Sequence, residues 1–309
     1  MPSSSTTRSS AGAPPDYAAA REGLAHRFRS GVIAVEGAER VAFLQGQVTQ
    51  EVRGLTPGEA RPAAGLTPRG KLLYFGRLVG ESERILLLVP SEAVPAAAAH
   101  LAKYAAFQNA SVRDATDDYA RAALYGPAAG AVAPPDGAVK LPGEGEIAGE
   151  ILAPASARRA LERILSDLGS VAIPPETAEV LRIEAGRPRF GVDAGDANIP
   201  DEVRLEAAVS TTKGCYVGQE IVARIRTYGR LQRRLVGFRF PGETVPAGTA
   251  FLNPAKEGHE LAHVTSVATS PRFGPIGLGF AFRDVAEGST LRVLEAPDRV
   301  AIVSALPFS

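Results

Sequence analysis

Along the first two-thirds of the chain the apolar positions change period repeatedly, as they do where strands and helices interleave. Gly31–Glu36 is a short unbroken apolar run and reads as a strand. From Glu39 to Val52, Val41, Leu44 and Val48 recur at helical spacing, and Leu55-Thr56-Pro57-Gly58 then has turn chemistry. Lys71–Val79 and Arg84–Val89 are strand-like runs parted by Gly80-Glu81-Ser82, which predicts a hairpin. Ser91 suits the N-cap of an Ala-rich helix ending near Ala106, with Pro95 in its first turn. Ser111–Tyr125 reads as two strands around Asp117-Asp118, and Gly126–Gly145 as a Gly/Pro-rich loop. Ile147–Leu152 is a strand, and Ala155–Leu168 an amphipathic helix with Leu161, Ile164 and Leu168 on one face. Val180-Leu181-Arg182-Ile183 reads as a further apolar strand ending at Glu184. After Arg234 only short β-branched runs parted by Gly and Pro remain, which predicts a small β-barrel. Strands and helices without strict βαβ alternation make the preceding region α+β.

A length of 309 residues exceeds the about 100–200 of one domain. The expected division is a disordered leader over 1–22, an α+β region over 23–230 and a barrel over 231–309. The leader is Ser-, Ala- and Pro-rich, lacks the apolar core of a secretory signal, and carries only Arg8 before Arg21, too little arginine for a mitochondrial presequence. No apolar run approaches the about 20 residues of a membrane span, so a cytoplasmic protein is expected. The single cysteine excludes an internal disulfide framework and any zinc or iron–sulfur site built from several cysteines of this chain.

That cysteine lies in Lys213-Gly214-Cys215-Tyr216-Val217-Gly218-Gln219-Glu220. The two glycines permit a tight turn or a close approach to a ligand. Arg224, Arg226, Arg230, Arg233 and Arg234 follow, so Lys213–Arg234 holds six cations against the one carboxylate of Glu220 in a chain of net charge +0. A single cysteine is most often a small buried apolar residue. Here the surrounding positive charge would favour a thiolate and attract an anion.

The octapeptide resembles the signature of the YgfZ-type folate-binding proteins, relatives of the glycine-cleavage T-protein. The similarity extends over Leu181–Asp193, Ile199–Glu202 and Arg230–Gly237. It implies an α+β fold of two ferredoxin-like lobes, the first discontinuous in sequence, with a C-terminal β-barrel around a folate-binding hole. It implies tetrahydrofolate as cofactor and a role in iron–sulfur cluster assembly or repair on client or carrier proteins. Effects on tRNA modification would then be indirect, with no direct nucleic-acid partner and no membrane. Cys215, with Lys213, is the expected catalytic pair. Tyr216, Gln219, Glu220, Arg224, Arg226 and Arg234 are the expected folate-binding set, the arginines holding the glutamate tail. From sequence alone, Glu184 reads equally as a surface residue paired with Arg182 or Arg187. By resemblance it would grip the guanidine-like face of a pterin.

Two other motifs carry less. His259-Glu260-Leu261-Ala262-His263 has zinc-protease spacing, but Val264, Thr265 and Val267 favour a strand, which sends the histidines out of register for a shared ion. Gly143-Glu144-Gly145-Glu146-Ile147-Ala148-Gly149 lacks dinucleotide spacing, and its glutamates would repel phosphate. It reads as a loop. One departure bears on activity. The T-protein strand that carries the aspartates of aminomethyl transfer resembles Lys71–Val79, and its acidic positions hold Tyr74 and Phe75 here. Neither ring replaces a carboxylate in proton handling near neutral pH. Folate binding without the T-protein reaction is the expectation. The alternatives are a folate-dependent one-carbon transferase using another donor, and a folate-binding regulator with a structural cysteine.

Overall fold

The computed structural model describes residues 12–229, 231–253, 259–293 and 296–309. Residues 1–11 of the expected leader, and Arg230, lie outside the described residues. Within the stretch expected to be a disordered leader, Pro15–Glu22 form a helix, α1. Pro15 presets its first turn, while Asp16 and Arg21 complement the two ends of its dipole. So short a helix depends on tertiary contact, and buried Tyr17 and Ala20 supply it.

The first sheet runs in the order β10 (Val171–Ala172), β1 (Ala25–Arg29), β7 (Tyr119–Tyr125), β9 (Ile147–Pro154) and β8 (Val139–Glu144). β1 precedes the whole second sheet in sequence, so this lobe is discontinuous. One face is covered by α4 (Arg158–Asp167), whose Leu161 and Leu165 pack on Ala122, Leu124 and Ile151. Leu168, expected on that face, lies past the helix end and is exposed. The other face packs Ala123 and Tyr125 against Tyr17 and against Leu181 of α5 (Pro175–Glu184). Two expectations are corrected here. β8 lies inside the stretch read as loop, and Val180–Ile183 belongs to a helix rather than a strand. Pro175 opens that helix, and Thr177 and Leu181 bury one side of it at a spacing of one turn.

The second sheet runs β3 (Ala60–Leu66), β4 (Leu72–Gly80), β5 (Arg84–Leu88), β2 (Val32–Glu36) and β6 (Ser111–Asp114). Ile33, Val35 and Leu87 face α2 (Arg40–Gln47) and α3 (Val94–Ala105). Val32, Ala34, Leu86 and Leu88 face Leu141 and Leu152 of the first sheet. Burial on both faces is why β2 and β5 read as unbroken apolar runs. After the helix α6 (Gln219–Tyr228), the sheet β12 (Ala250–Leu252), β13 (Glu260–Ser270), β14 (Gly274–Phe282), β11 (Arg233–Arg239), β16 (Ala296–Ser304) and β15 (Thr290–Val293) curls until its edge strands meet. This nearly closed barrel has its own core of Phe238, Phe251, Val264 and Ala301. The fold is α+β, with two ferredoxin-like lobes and a C-terminal barrel.

A buried ion cluster joins the lobes. Glu150 of β9 is fully buried and paired with Arg77 of β4 and, at 2.9 Å, with Arg121 of β7. Arg121 also donates to the carbonyl oxygens of Gly31 (2.6 Å) and Val89 (3.2 Å), and Arg77 to that of Pro142 (2.7 Å). Burial alone would push the Glu150 carboxyl up, but the attraction of Arg121, Arg29 and Arg77 outweighs it and holds the group down at about 2. Burial lowers Arg121 to about 10, which leaves it charged at neutral pH.

Removing one partner of such a cluster strands the others. Glu150→Gln is expected to cost about 3–5 kcal/mol, read as a lower urea midpoint. Because Glu150 titrates at about 2 when folded against 4.5 in its ordinary state, its contribution is complete above pH 4.5 and is lost as pH falls from there towards 2. The acid limb of the stability curve should therefore be shallower in Glu150→Gln over that window.

Candidate functional site

A cavity of about 380 Å³ opens where the two lobes meet. Alternation along β1 puts Arg27 and Arg29 on the face that looks into it. β4 adds Phe75 and Arg77, and β7 adds Arg121 and Tyr125. The turn between β8 and β9 brings Glu144 and Glu146, and α5 brings Glu179 and Arg182. Arg187, Arg189 and Phe190 close the remaining wall. None of the described barrel residues lines it.

Most of these charges are matched. Arg182 donates Nε and Nη2 to the two oxygens of Glu179 at 2.9 and 2.5 Å, and Nη1 to Asp193 at 2.7 Å. Arg189 lies 3.3 Å from Glu179. Arg187 stands 3.2 Å from Glu144 and 3.6 Å from Glu146. Glu146 differs from the other carboxylates. Its side chain is 9 % exposed, and its Oε2 is buried with no hydrogen-bond partner among the described residues. Burial pushes its carboxyl up, against the pull of Arg187. Phe75 and Phe190 meet edge to face with centroids 5.9 Å apart, giving one aromatic wall. A carboxylate oxygen without a hydrogen bond, in a cavity that also has an aromatic wall, suits a planar heterocycle with N–H donors, and the arginines suit an anionic substituent.

The signature octapeptide lies elsewhere and does not line this cavity. The Lys213 ammonium donates to the carbonyl oxygens of Gln45 (2.8 Å), Val48 (2.7 Å) and Gln50 (2.9 Å), and lies 5.2 Å from the Tyr216 ring centroid. Burial lowers it to about 8, with Arg53 pushing the same way and Glu51 opposing. It remains charged at pH 7 and matches three N–H donors to three acceptors. Lys213 therefore pins the loop to the end of α2 and leaves no donor for the thiol. Val217 N–H reaches the carbonyl of Gly46 (3.1 Å), and Tyr216 is buried. Cys215 is exposed between these anchors.

The two motif glycines differ. Gly218 has φ +83°, and a Cβ there would meet the Thr67 carbonyl oxygen at 2.5 Å, whereas a Cβ on Gly214 would meet nothing within 4 Å. Gln219 accepts from Tyr216 N–H at 3.3 Å, and Glu220 and Arg224 are exposed on α6. The rest of the basic run is engaged locally. Arg226 pairs with Asp201 at 2.8 Å, Arg233 lies 3.6 Å from Glu202, and Arg234 donates to the Val285 carbonyl at 2.9 Å. A cleft formed jointly by Glu184 and this run is not what the fold builds.

Glu184 ends α5 but is buried away from the cavity. It accepts from Tyr17 (2.8 Å) and from the Ser270 hydroxyl, and pairs with Arg21. His263 is on β13, where its Nδ1 lies 2.6 Å from Glu260, and His259 precedes that strand.

No family model matches the chain. It is 28% identical over 299 residues to the tRNA-modifying protein YgfZ of Edwardsiella ictaluri, covering 90% of this chain and 89% of the relative. The iron–sulfur cluster assembly factor IBA57 homolog of Mycosarcoma maydis is 27% identical over 266 residues, covering 78% of this chain and 63% of the relative. The crystal structure of aminomethyltransferase T of the glycine cleavage system from Bartonella henselae superposes with a TM-score of 0.81 at 24% identity, over 95% of this chain and 88% of the other. The chain is a YgfZ-type protein of the aminomethyltransferase-like fold.

Within that YgfZ-type fold, the two positions that depart from the T-protein face opposite ways. Tyr74 is wholly buried beside Gly65, its hydroxyl without a hydrogen-bond partner among the described residues and pushed up by burial. Phe75 takes the cavity face. Sequence reading missed Arg27, Arg29, Glu146 and Glu179. The alternation His26-Arg27-Phe28-Arg29 was a usable signal for the first two, but Glu146 was hidden in a segment read as loop.

Lys213→Met leaves the buried carbonyls of Gln45 and Val48 and the partly buried one of Gln50 without this donor and should cost about 2–4 kcal/mol. Limited proteolysis should then cut first between Thr211 and Val217. Unchanged stability and protection would show that the ammonium does not hold this loop.

Proposed function

We propose that this protein binds a reduced folate, tetrahydrofolate or a derivative, in the cavity between its lobes. We further propose that it supports assembly or repair of iron–sulfur clusters on client or carrier proteins through Cys215. The observation that carries the folate half is Glu146, a cavity-lining carboxylate whose Oε2 accepts no hydrogen bond among the described residues and lies 3.6 Å from Arg187, in a cavity also walled by Phe75 and Phe190. A carboxylate there accepts from the N–H groups of a pterin edge-on while the rings contact its face. Glu179 is held by Arg182 and Arg189, which makes it the less available acceptor. The names of the YgfZ and IBA57 relatives support the cluster role and are compatible with tRNA modification reached through a cluster-containing client.

The thiol half rests on geometry as well. Cys215 is exposed on a loop anchored by Lys213, Tyr216 and Val217, beside Glu220 and Arg224 on the free side of α6. A cluster needs several ligands, so one thiol acts at an interface where another protein supplies the rest. The cluster is cargo. Phe75 in the cavity, in place of a carboxylate, speaks against aminomethyl transfer, and the exposure of Cys215 speaks against a buried structural cysteine.

Calorimetry should give tetrahydrofolate a Kd on the order of 1 μM. Glu146→Gln should weaken it about tenfold, a loss of one charge-assisted bond. Glu184→Gln should instead lower stability and leave affinity unchanged. Equal affinity in wild type and Glu146→Gln would remove Glu146 from the site. In cells lacking the gene, Cys215→Ser should accumulate as a folded protein and fail to restore iron–sulfur enzyme activities. Full rescue would end the thiol mechanism.

A further inference from the structure

Seven arginines line the cavity, and five of them are ion-paired to carboxylates. Arg27 and Arg29 are the exceptions. Both are half-buried, and neither side chain makes a hydrogen bond or an ion pair among the described residues. Their field still reaches the cavity, since Arg29 helps to hold Glu150 down and Arg27 does the same for Glu179. Partial burial of two unpaired guanidinium groups is costly unless an anion joins them. Glu144, Glu150 and Glu179 are ion-paired with other arginines, Glu146 lies nearest Arg187 although the charge of Arg29 also acts on it, and Glu92 at the rim accepts from the Ser91 hydroxyl at 3.0 Å.

β1 fixes the pair. Antiparallel pairing with β7 sets Arg27 opposite Ala123 and Arg29 opposite Arg121. Two positions along a strand place the side chains roughly 7 Å apart at their bases on one face. His26 and Phe28 take the other face, where Arg158 covers Phe28 at 4.2 Å from its centroid. Two planar forks, side by side and without partners, match a ligand that carries two carboxylates on one short unit.

We propose that Arg27 and Arg29 form an anion subsite that binds the α- and γ-carboxylates of the glutamyl unit of the cavity's ligand. This rests on the folate reading above and adds orientation to it. The pterin end lies towards Glu146 and the Phe75–Phe190 wall, and the glutamyl end towards β1.

Three probes separate the two readings. Tetrahydrofolate carries both ends, tetrahydropteroate lacks the glutamate, and p-aminobenzoylglutamate lacks the pterin. In the wild type, tetrahydropteroate should bind about 30-fold or more weaker than tetrahydrofolate, the expected loss of charge-assisted bonds. In Arg27→Gln/Arg29→Gln the two should bind alike, and p-aminobenzoylglutamate, bound by the wild type, should not bind. Arg27→Lys/Arg29→Lys should recover part of the tail preference. Neither arginine has a carboxylate partner to strand, but Arg29 steadies Glu150 from a distance, so Arg27→Gln should keep the wild-type melting temperature and variants carrying Arg29→Gln should melt slightly lower; the single variants give the same readout if the double variant does not fold. A tail preference that is absent in the wild type, or undiminished in the double variant, overturns the subsite while folate binding stands. Binding of p-aminobenzoylglutamate without binding of tetrahydropteroate keeps the subsite and removes the pterin site. Binding of none of the three sinks both.

Discussion

Glu150 sits between guanidinium groups from both sheets, and the placement of the cavity walls follows from that arrangement. Apolar contact between the lobes, through Val32, Ala34, Leu86, Leu141 and Leu152, is non-directional and leaves their relative orientation free. Arg121 removes that freedom. It reaches the carboxylate in its own sheet, the carbonyl of Gly31, where the chain enters the second lobe, and that of Val89, just past the end of β5. Arg77 returns the contact from β4. The same two arginines form part of the cavity surface, so the clamp that aligns the lobes also sets the field inside.

The barrel is attached by the same kind of chemistry, and α5 is the axle. At the cavity end, Arg182 ties Glu179 to Asp193 and to Ser266 of β13, at 2.9 Å from the latter. At the other end, Glu184 gathers Tyr17 and Arg21 of α1 and Ser270 of β13. A helix whose two ends are held by different neighbours cannot rotate without breaking one of the networks. This gives Glu184 a sufficient structural reason to be a carboxylate, independent of any ligand.

What the sequence disclosed follows from the range of the interactions involved. The octapeptide was legible because its constraints are local, with Gly218 forced by the approach of Thr67 and the loop closed within a few residues of Cys215. The fold was legible through resemblance, and the barrel also through its short β-branched runs. Periodicity failed where partners are remote. Val180–Ile183 is β-branched enough to read as strand, yet Pro175 and the contacts of Leu181 with Tyr17 and Tyr125 make it helix. Glu184 was assigned by analogy because Tyr17, 167 residues away, could not be seen beside it. The division of the basic run into engaged and free arginines depended on Asp201, Glu202 and the Val285 carbonyl, which no spacing rule connects to it. Arg27 and Arg29 required the opposite knowledge, that no carboxylate among the described residues pairs with either side chain.

The cavity and the thiol are separate surfaces, yet one apolar cluster touches both. Phe75, on the cavity wall, belongs to the same packed group as Leu66, Leu72, Val222 and Tyr216, the residue beside Cys215. Leu66 and Leu72 are paired neighbours on β3 and β4, and Val222 lies on the helix that follows the thiol loop. Close packing resists local displacement and passes it on. Replacing a carboxylate by Phe75 therefore does more than remove a proton acceptor from the cavity. It makes that position part of a continuous core, so that a ligand pressing on the ring presses on the group that seats Tyr216. A T-protein-like site turned towards chemistry inside the cavity would need a hydrated, hydrogen-bonded side chain there, which could not join such a cluster without the penalty of burying a charge. On the function proposed above, a ring at this position gives up reactivity within the cavity and joins its wall to the loop of the thiol through one packed core.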